Sequence, residues 1–278
     1  LKIAPAPGPD TSQALAAWME ALDKAQTPEG RARTALAVAV SQFPFWGAIG
    51  EDPVAKPDPS NLDVVEDAIV RSARDGVRNA VTRRQLYDNP AGLASWNTGV
   101  DYSAFYRNGT TSDQKRIITE LYRRAGLGEA AIAADLRAIN RQQRIGGTSE
   151  GVNYWFAPGR VLDGDIKIPV LQIHGLGDSL LPPHLLAGYA VEVAKRGKGV
   201  LYRTGFIETT GHCSQSLAET KAAIDTLVER LDSGDWPDTT AAALNGRAKA
   251  AGDANPRFVE HNFTPFNRAF HRGLAHPF

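Results

Sequence analysis

The hydrophobic period of this chain changes once, near Asp165, and that change limits what the chain can fold into. From there Ile166-Lys167-Ile168-Pro169-Val170-Leu171-Gln172-Ile173 forms a short β-branched run, apolar on both faces at its end. A strand buried in a parallel sheet reads this way. Pro182-Pro183 then opens a helix through Ala194, Gly199 to Glu208 reads as a second strand, and a helix follows from about Leu217 to Leu231. Strand, helix, strand, helix in that order makes the two strands parallel neighbours. Two parallel strands do not stand alone, because a parallel sheet needs both faces covered and its neighbours present. Either the preceding region holds strands that its sequence hides, or the rest of the sheet comes from another chain.

Residues 1 to about 155 read as helical. Thr11 to Ala25 carries Leu15, Trp18, Met19 and Leu22 at helical spacing, and Asn61 to Gln85 carries Leu62, Val65, Ile69, Val77 and Val81. Thr27-Pro28-Glu29 is a helix start, with a capping hydroxyl, proline at the first position and an acid in the first turn. The helix it opens ends at Phe43-Pro44-Phe45-Trp46-Gly47. Pro53, Pro57 and Pro59 mark a loop, and Asn89-Pro90-Ala91-Gly92 marks a turn. Ser112-Asp113 caps a helix to Arg124, and Glu129 to Arg144 is another. The expected division is 1–160, mostly helical, and 161–278, with the two strands and a tail of little periodicity after Gly234. The tail aromatics Trp236, Phe258, Phe263, Phe266, Phe270 and Phe278 are expected to pack along something.

Lys plus Arg number 31 and Asp plus Glu number 31, so there is no electrostatic footprint for nucleic acid or anionic lipid. No apolar run approaches the roughly 20 residues of a membrane helix. Cys213 is the one cysteine, which excludes an internal disulfide and any multi-cysteine metal site. The sequence starts at Leu1 and its one methionine, Met19, lies within a helical pattern, so the start reads as a cleavage product rather than a translation start; a trimmed chain or an omitted first residue would look the same. A cleaved precursor favours export from the cell; the cytoplasm stays open as the alternative.

Two loops carry candidate chemistry. Ile173-His174-Gly175-Leu176-Gly177-Asp178 sets an acid in a glycine-rich loop past the C-terminal end of the first strand. That edge of an open α/β sheet is where sites are built. Thr209-Thr210-Gly211-His212-Cys213 sets a histidine in the loop after the next strand. One helix and one strand separate the two, which brings the loops side by side. A carboxylate there orients an imidazole, and the imidazole serves as base and then acid in acyl transfer. His174 and His184 flank the acid loop. His261, His271 and His276 lie in the tail without ligand spacing.

From Ile168 to Leu231 the chain resembles the last third of an α/β-hydrolase, whose order is nucleophile, acid, histidine. Ser95-Trp96-Asn97-Thr98-Gly99-Val100-Asp101-Tyr102, Gly211-His212-Cys213 and Gly234-Asp235-Trp236 resemble a group of actinobacterial-type α/β-hydrolases with a helical cap. The resemblance implies an α/β fold. The C-terminal portion would be the parallel edge of the hydrolase sheet, and the helical region its cap. It assigns Asp178 as triad acid and His212 as triad base, with no cofactor.

One element of that pattern departs. The nucleophile elbow, Gly-x-Ser-x-Gly, should follow a buried strand. Gly147-Thr148-Ser149-Glu150-Gly151 matches literally, but polar, helix-like residues precede it, and too few residues separate it from Asp178 for a further strand and a cap. The expectation is a serine hydrolase of ester or amide bonds, with an N-terminal chain of the same precursor supplying the serine and the oxyanion hole. Its substrate would be a small-molecule or peptide acyl compound. The apolar and aromatic side chains of the helical region (Trp18, Phe43, Phe45, Trp46, Trp96, Phe105, Tyr106) would favour an apolar acyl group. The alternatives are a non-catalytic helical interaction module with a degenerate hydrolase tail, and a complete single-chain enzyme using Ser149. Cys213, next to the base, reads as a packing residue or half of an inter-chain bridge.

Overall fold

The computed structural model describes residues 12–50, 52–88 and 92–264, with 83–88 as backbone only. Phe266, Phe270, Phe278, His271, His276 and the Asn89-Pro90-Ala91 turn lie outside the described residues. The fold is mixed α/β and divides into two compact units. One contains the chain to Phe45, Pro57–Leu162 and the segment from Thr264. The other contains Trp46–Lys56 and Asp163–Phe263.

The first unit is helical: α1 (Ser12–Lys24), α2 (Pro28–Val40), α3 (Leu62–Asp88), α4 (Tyr102–Gly109), α5 (Ser112–Arg124), α6 (Glu129–Asn140) and α7 (Ser149–Trp155). Helix α2 lies at its centre, packing on α3, α4 and α5. Its alanines explain this, since Ala32, Ala35 and Ala39 are fully buried and let neighbouring helices approach closely. Leu36, Ile69, Ile118 and Tyr122 fill the space between the helices. Burying each contributes roughly 1.5–3 kcal/mol. Thr27 caps α2 through Gly30 N at 3.1 Å, with Pro28 at the first turn. The cap of α5 is Thr111, one residue before the expected Ser112, in a reciprocal box with Gln114. Phe43, Phe45, Phe105 and Tyr106 belong to this core, so their aromatic surface serves packing.

The second unit holds the sheet. Strand β1 (Val170–Gly177) pairs in parallel with β2 (Tyr202–Thr210), and β2 pairs antiparallel with the two-residue β3 (Phe258–Val259). Helices α8 (His184–Lys195), α9 (Leu217–Ser233) and α10 (Ala241–Ala250) complete it. Strand β1 starts four residues later than its β-branched run, because Pro169 cannot donate to a ladder. It also continues through His174-Gly175-Leu176-Gly177, which the sequence reads as loop. Gly177 permits this: a Cβ there would lie 2.7 Å from Thr210 Cγ2 and 2.9 Å from the Trp46 carbonyl oxygen. The β1–β2 register shifts at this point, between Gly175 and Gly177.

The described part of the tail after Gly234 is structured, contrary to its weak periodicity. Helix α10 is alanine-rich and buries Leu244 and Ala248 against α9 and β3, too few large side chains to write an amphipathic stripe. Trp236 donates its indole N–H to Val200 O at 2.8 Å, and Phe258 is part of the core. No helix of the described residues is long and apolar enough to cross a membrane.

Candidate active site

Strand β1 ends directly on Asp178, and β2 leads through Gly211 to His212. Parallel pairing puts both ends at one edge of the sheet, and the two side chains meet there. His212 Nδ1 lies 2.8 Å from Asp178 Oδ2. The other oxygen, Oδ1, accepts from Leu180 N at 2.7 Å and Leu181 N at 3.0 Å. Asp178 is 1 % exposed, so its carboxylate has exchanged water for fixed donors. Such a group is held in one orientation. The His212 side chain is 36 % exposed and open to a reactant.

A second imidazole, His174, lies 3.5 Å from Asp178 Oδ2 through its Nε2. That nitrogen is 2.9 Å from Leu181 O. A carbonyl only accepts, so His174 Nε2 carries its proton and donates it there. His174 is buried and closes the turn around Asp178; His212 is the imidazole with the shorter carboxylate contact and the exposed ring.

The segment Trp46–Lys56 clasps both loops. Ala48 N donates to Gly177 O at 3.1 Å, and Ala48 O accepts from Gly211 N at 3.0 Å. Val54 N donates to Thr210 Oγ1 at 2.7 Å, and the Trp46 indole donates to Val54 O at 2.9 Å. Lys56 pairs with Glu208. Sequence reasoning places these residues among helix ends and loops of the helical region. Ala48 acts through its backbone, which leaves no trace in residue type; the indole of Trp46 was the one visible hint.

Against known proteins, no family model matches the chain. It is 38% identical over 240 residues to an o-phthalyl amidase from Xanthobacter agilis. The alignment covers 85% of this chain and 51% of that protein, so the chain spans about half the length of the curated relative it matches. No solved structure matches it.

Ser149 stands in a different context from a nucleophile elbow. Thr148 is the N-cap of α7, accepting from Gly151 N at 3.1 Å, and Ser149 is the exposed first residue of that helix. A loop after α6, with no strand, leads into it. Cys213 is exposed. Among the described residues no group of three or more His, Cys, Asp and Glu is placed to hold a metal ion.

His184 and His261 join an aromatic cluster with Phe206 and Phe263, the His184 and Phe263 ring centroids being 4.9 Å apart. Burial and the neighbouring His261 push His184 down to about 4. His261 is also lowered, by burial and then by Lys56. The unfolded chain therefore takes up protons that the folded chain refuses. The unit should lose stability as pH falls from about 6.5 toward about 4, by roughly 3 kcal/mol for His184. Thermal melts of His184→Phe should show a shallower pH slope over this range than the wild type. Parallel slopes would contradict this account.

Proposed function

We propose that this chain supplies the acid and base of a serine hydrolase acting on an amide bond. The observation that carries the reading is the 2.8 Å contact of His212 Nδ1 with a buried carboxylate whose second oxygen is held by two backbone N–H groups. The amidase relative supports the bond class. The order of acid and histidine on successive parallel strand ends supports an α/β-hydrolase core, with the helical region as its cap.

The nucleophile would come from an N-terminal chain of the same precursor. An elbow needs a strand of its own. Among the described residues β1 leads to the acid, β2 to the base, and β3 is two residues long. The partner's strands would add beside β1, whose first four residues are only half-buried. In the reaction, the serine Oγ bonds to the amide carbon while its proton passes to His212 Nε2. The imidazolium, steadied by Asp178, then gives that proton to the leaving nitrogen as the C–N bond breaks. Water repeats the sequence on the acyl-enzyme, releasing the acid and restoring the serine. The chemistry uses no cofactor.

A serine-directed fluorophosphonate applied to the full-length protein tests the reading. The expected label sits on a serine outside this sequence, on a separate band of a denaturing gel, and His212→Ala suppresses it. A label on Ser149 would establish the single-chain alternative. Absence of label, with hydrolysis unaffected by His212→Ala, would sink the catalytic reading.

A further inference from the structure

We infer that Arg257 is a positioning residue for His212, acting through the loop that carries it; the inference rests on His212 being the base. Arg257 follows α10 and precedes β3, far in sequence from both site loops. Its guanidinium reaches three separate pieces of chain around the histidine. Nη1 donates to Thr209 Oγ1 at 2.9 Å, before His212. Nη2 donates to Ser214 O at 2.7 Å, after it. Nε and Nη2 form a two-point pair with Glu219, at 3.1 Å to Oε1 and 2.8 Å to Oε2.

Glu219 is fully buried, and its carboxylate takes further donors from Arg257 N at 2.8 Å and Ser216 N at 2.7 Å. The capping box at the start of α9, in which Ser216 Oγ accepts from Glu219 N, ties this carboxylate to the helix. Arg257 O in turn accepts from Glu208 N at 2.9 Å. The His212 loop is thus anchored three residues before and two residues after the imidazole by one planar cation, which a buried carboxylate holds in orientation. A flat two-sided donor is what this requires, and lysine, a point charge, cannot reproduce it. Helix capping explains Glu219 on its own. It does not explain why the same carboxylate aims a guanidinium at both flanks of the histidine.

The test uses Arg257→Lys and Glu219→Gln in the full-length protein. Two readouts separate positioning from general stability. The first is fluorophosphonate labelling: the maximal rate should fall about 100-fold in Arg257→Lys with the half-saturating concentration nearly unchanged, the size expected for a misplaced catalytic group. The second is the low-field proton resonance of the His212 Nδ1–H, identified by its loss in Asp178→Asn. It should broaden by solvent exchange in both variants while near-ultraviolet circular dichroism stays native. If either variant fails to fold, Thr209→Val removes one anchor alone and should reduce the labelling rate measurably. Wild-type labelling and a sharp resonance in folded Arg257→Lys, or in Thr209→Val, would overturn the inference. A His212→Ala protein that labels normally would instead overturn the catalytic reading, and resonance broadening would still report on positioning.

Discussion

Under the proposed hydrolase mechanism, Asp178→Asn should lower the rate of amide hydrolysis about 10⁴-fold while leaving the protein folded and substrate affinity little changed. The asparagine keeps an acceptor for Leu180 N and Leu181 N, so the turn survives. What it loses is the acceptor facing His212 Nδ1. An amide NH₂ in that place cannot accept the Nδ1 proton, so the ring takes the tautomer that leaves Nε2 protonated and unable to act as base. Asp178→Ala is the harsher change. It also strands two backbone donors in a buried turn, at about 1–3 kcal/mol each. Comparing the two by kinetics and by denaturant melts separates the roles. If both variants lose stability alike and Asp178→Asn retains wild-type rate, the carboxylate is structural.

Gly211→Ala should harm both stability and catalysis. Gly211 has φ +86°, which L residues adopt at a cost, and an added Cβ would lie 2.5 Å from the Gly50 carbonyl oxygen. The Ser214 hydroxyl is nearer still, and it can turn away, but the Gly50 backbone oxygen cannot swing aside. The expected destabilisation is roughly 2–4 kcal/mol. Because Gly211 N also holds Ala48 O, the loop must move, and His212 moves with it; an additional loss of about 100-fold in rate follows. Gly234, which ends α9, is the internal control. Its φ is +83° with nothing within 4 Å of an added Cβ, so Gly234→Ala should cost only the conformational share, roughly 1 kcal/mol. Equal urea midpoints for the two alanine variants would show that the clasp exerts no constraint on the histidine loop.

Helices and the parallel strand pair were legible because large apolar residues recur at a fixed period. Leu62, Val65 and Ile69 announce α3, and Thr27-Pro28 announces the start of α2. Asp178 and His212 were legible because strand ends are predictable even when strand limits are not: β1 was displaced by several residues, yet the acid stayed at its end. Three kinds of feature stayed hidden. Helix α10 packs through alanines and a single leucine, so it has no stripe to read. The clasp at Ala48 works through peptide groups, which every residue possesses. Arg257 looks like any charged residue in a polar tail; only the fold shows that it lies against Glu219. Half of that pair was within reach, since Ser216 and Glu219 stand at capping-box spacing.

The clasp also bears on the order in which the protein is made. Val54 and Thr210 are 156 positions apart, and their hydrogen bond joins an early segment to the histidine loop. Closing so long a loop costs chain entropy before any contact repays it, and such contacts form late in folding. The helical unit draws most of its chain from residues that precede β1, and its helices pack largely with one another. A nascent chain can therefore settle its helices while Asp178 and His212 are still unpaired. A product truncated before Arg257 would lack the cation that ties Thr209 and Ser214, the two flanks of His212, together.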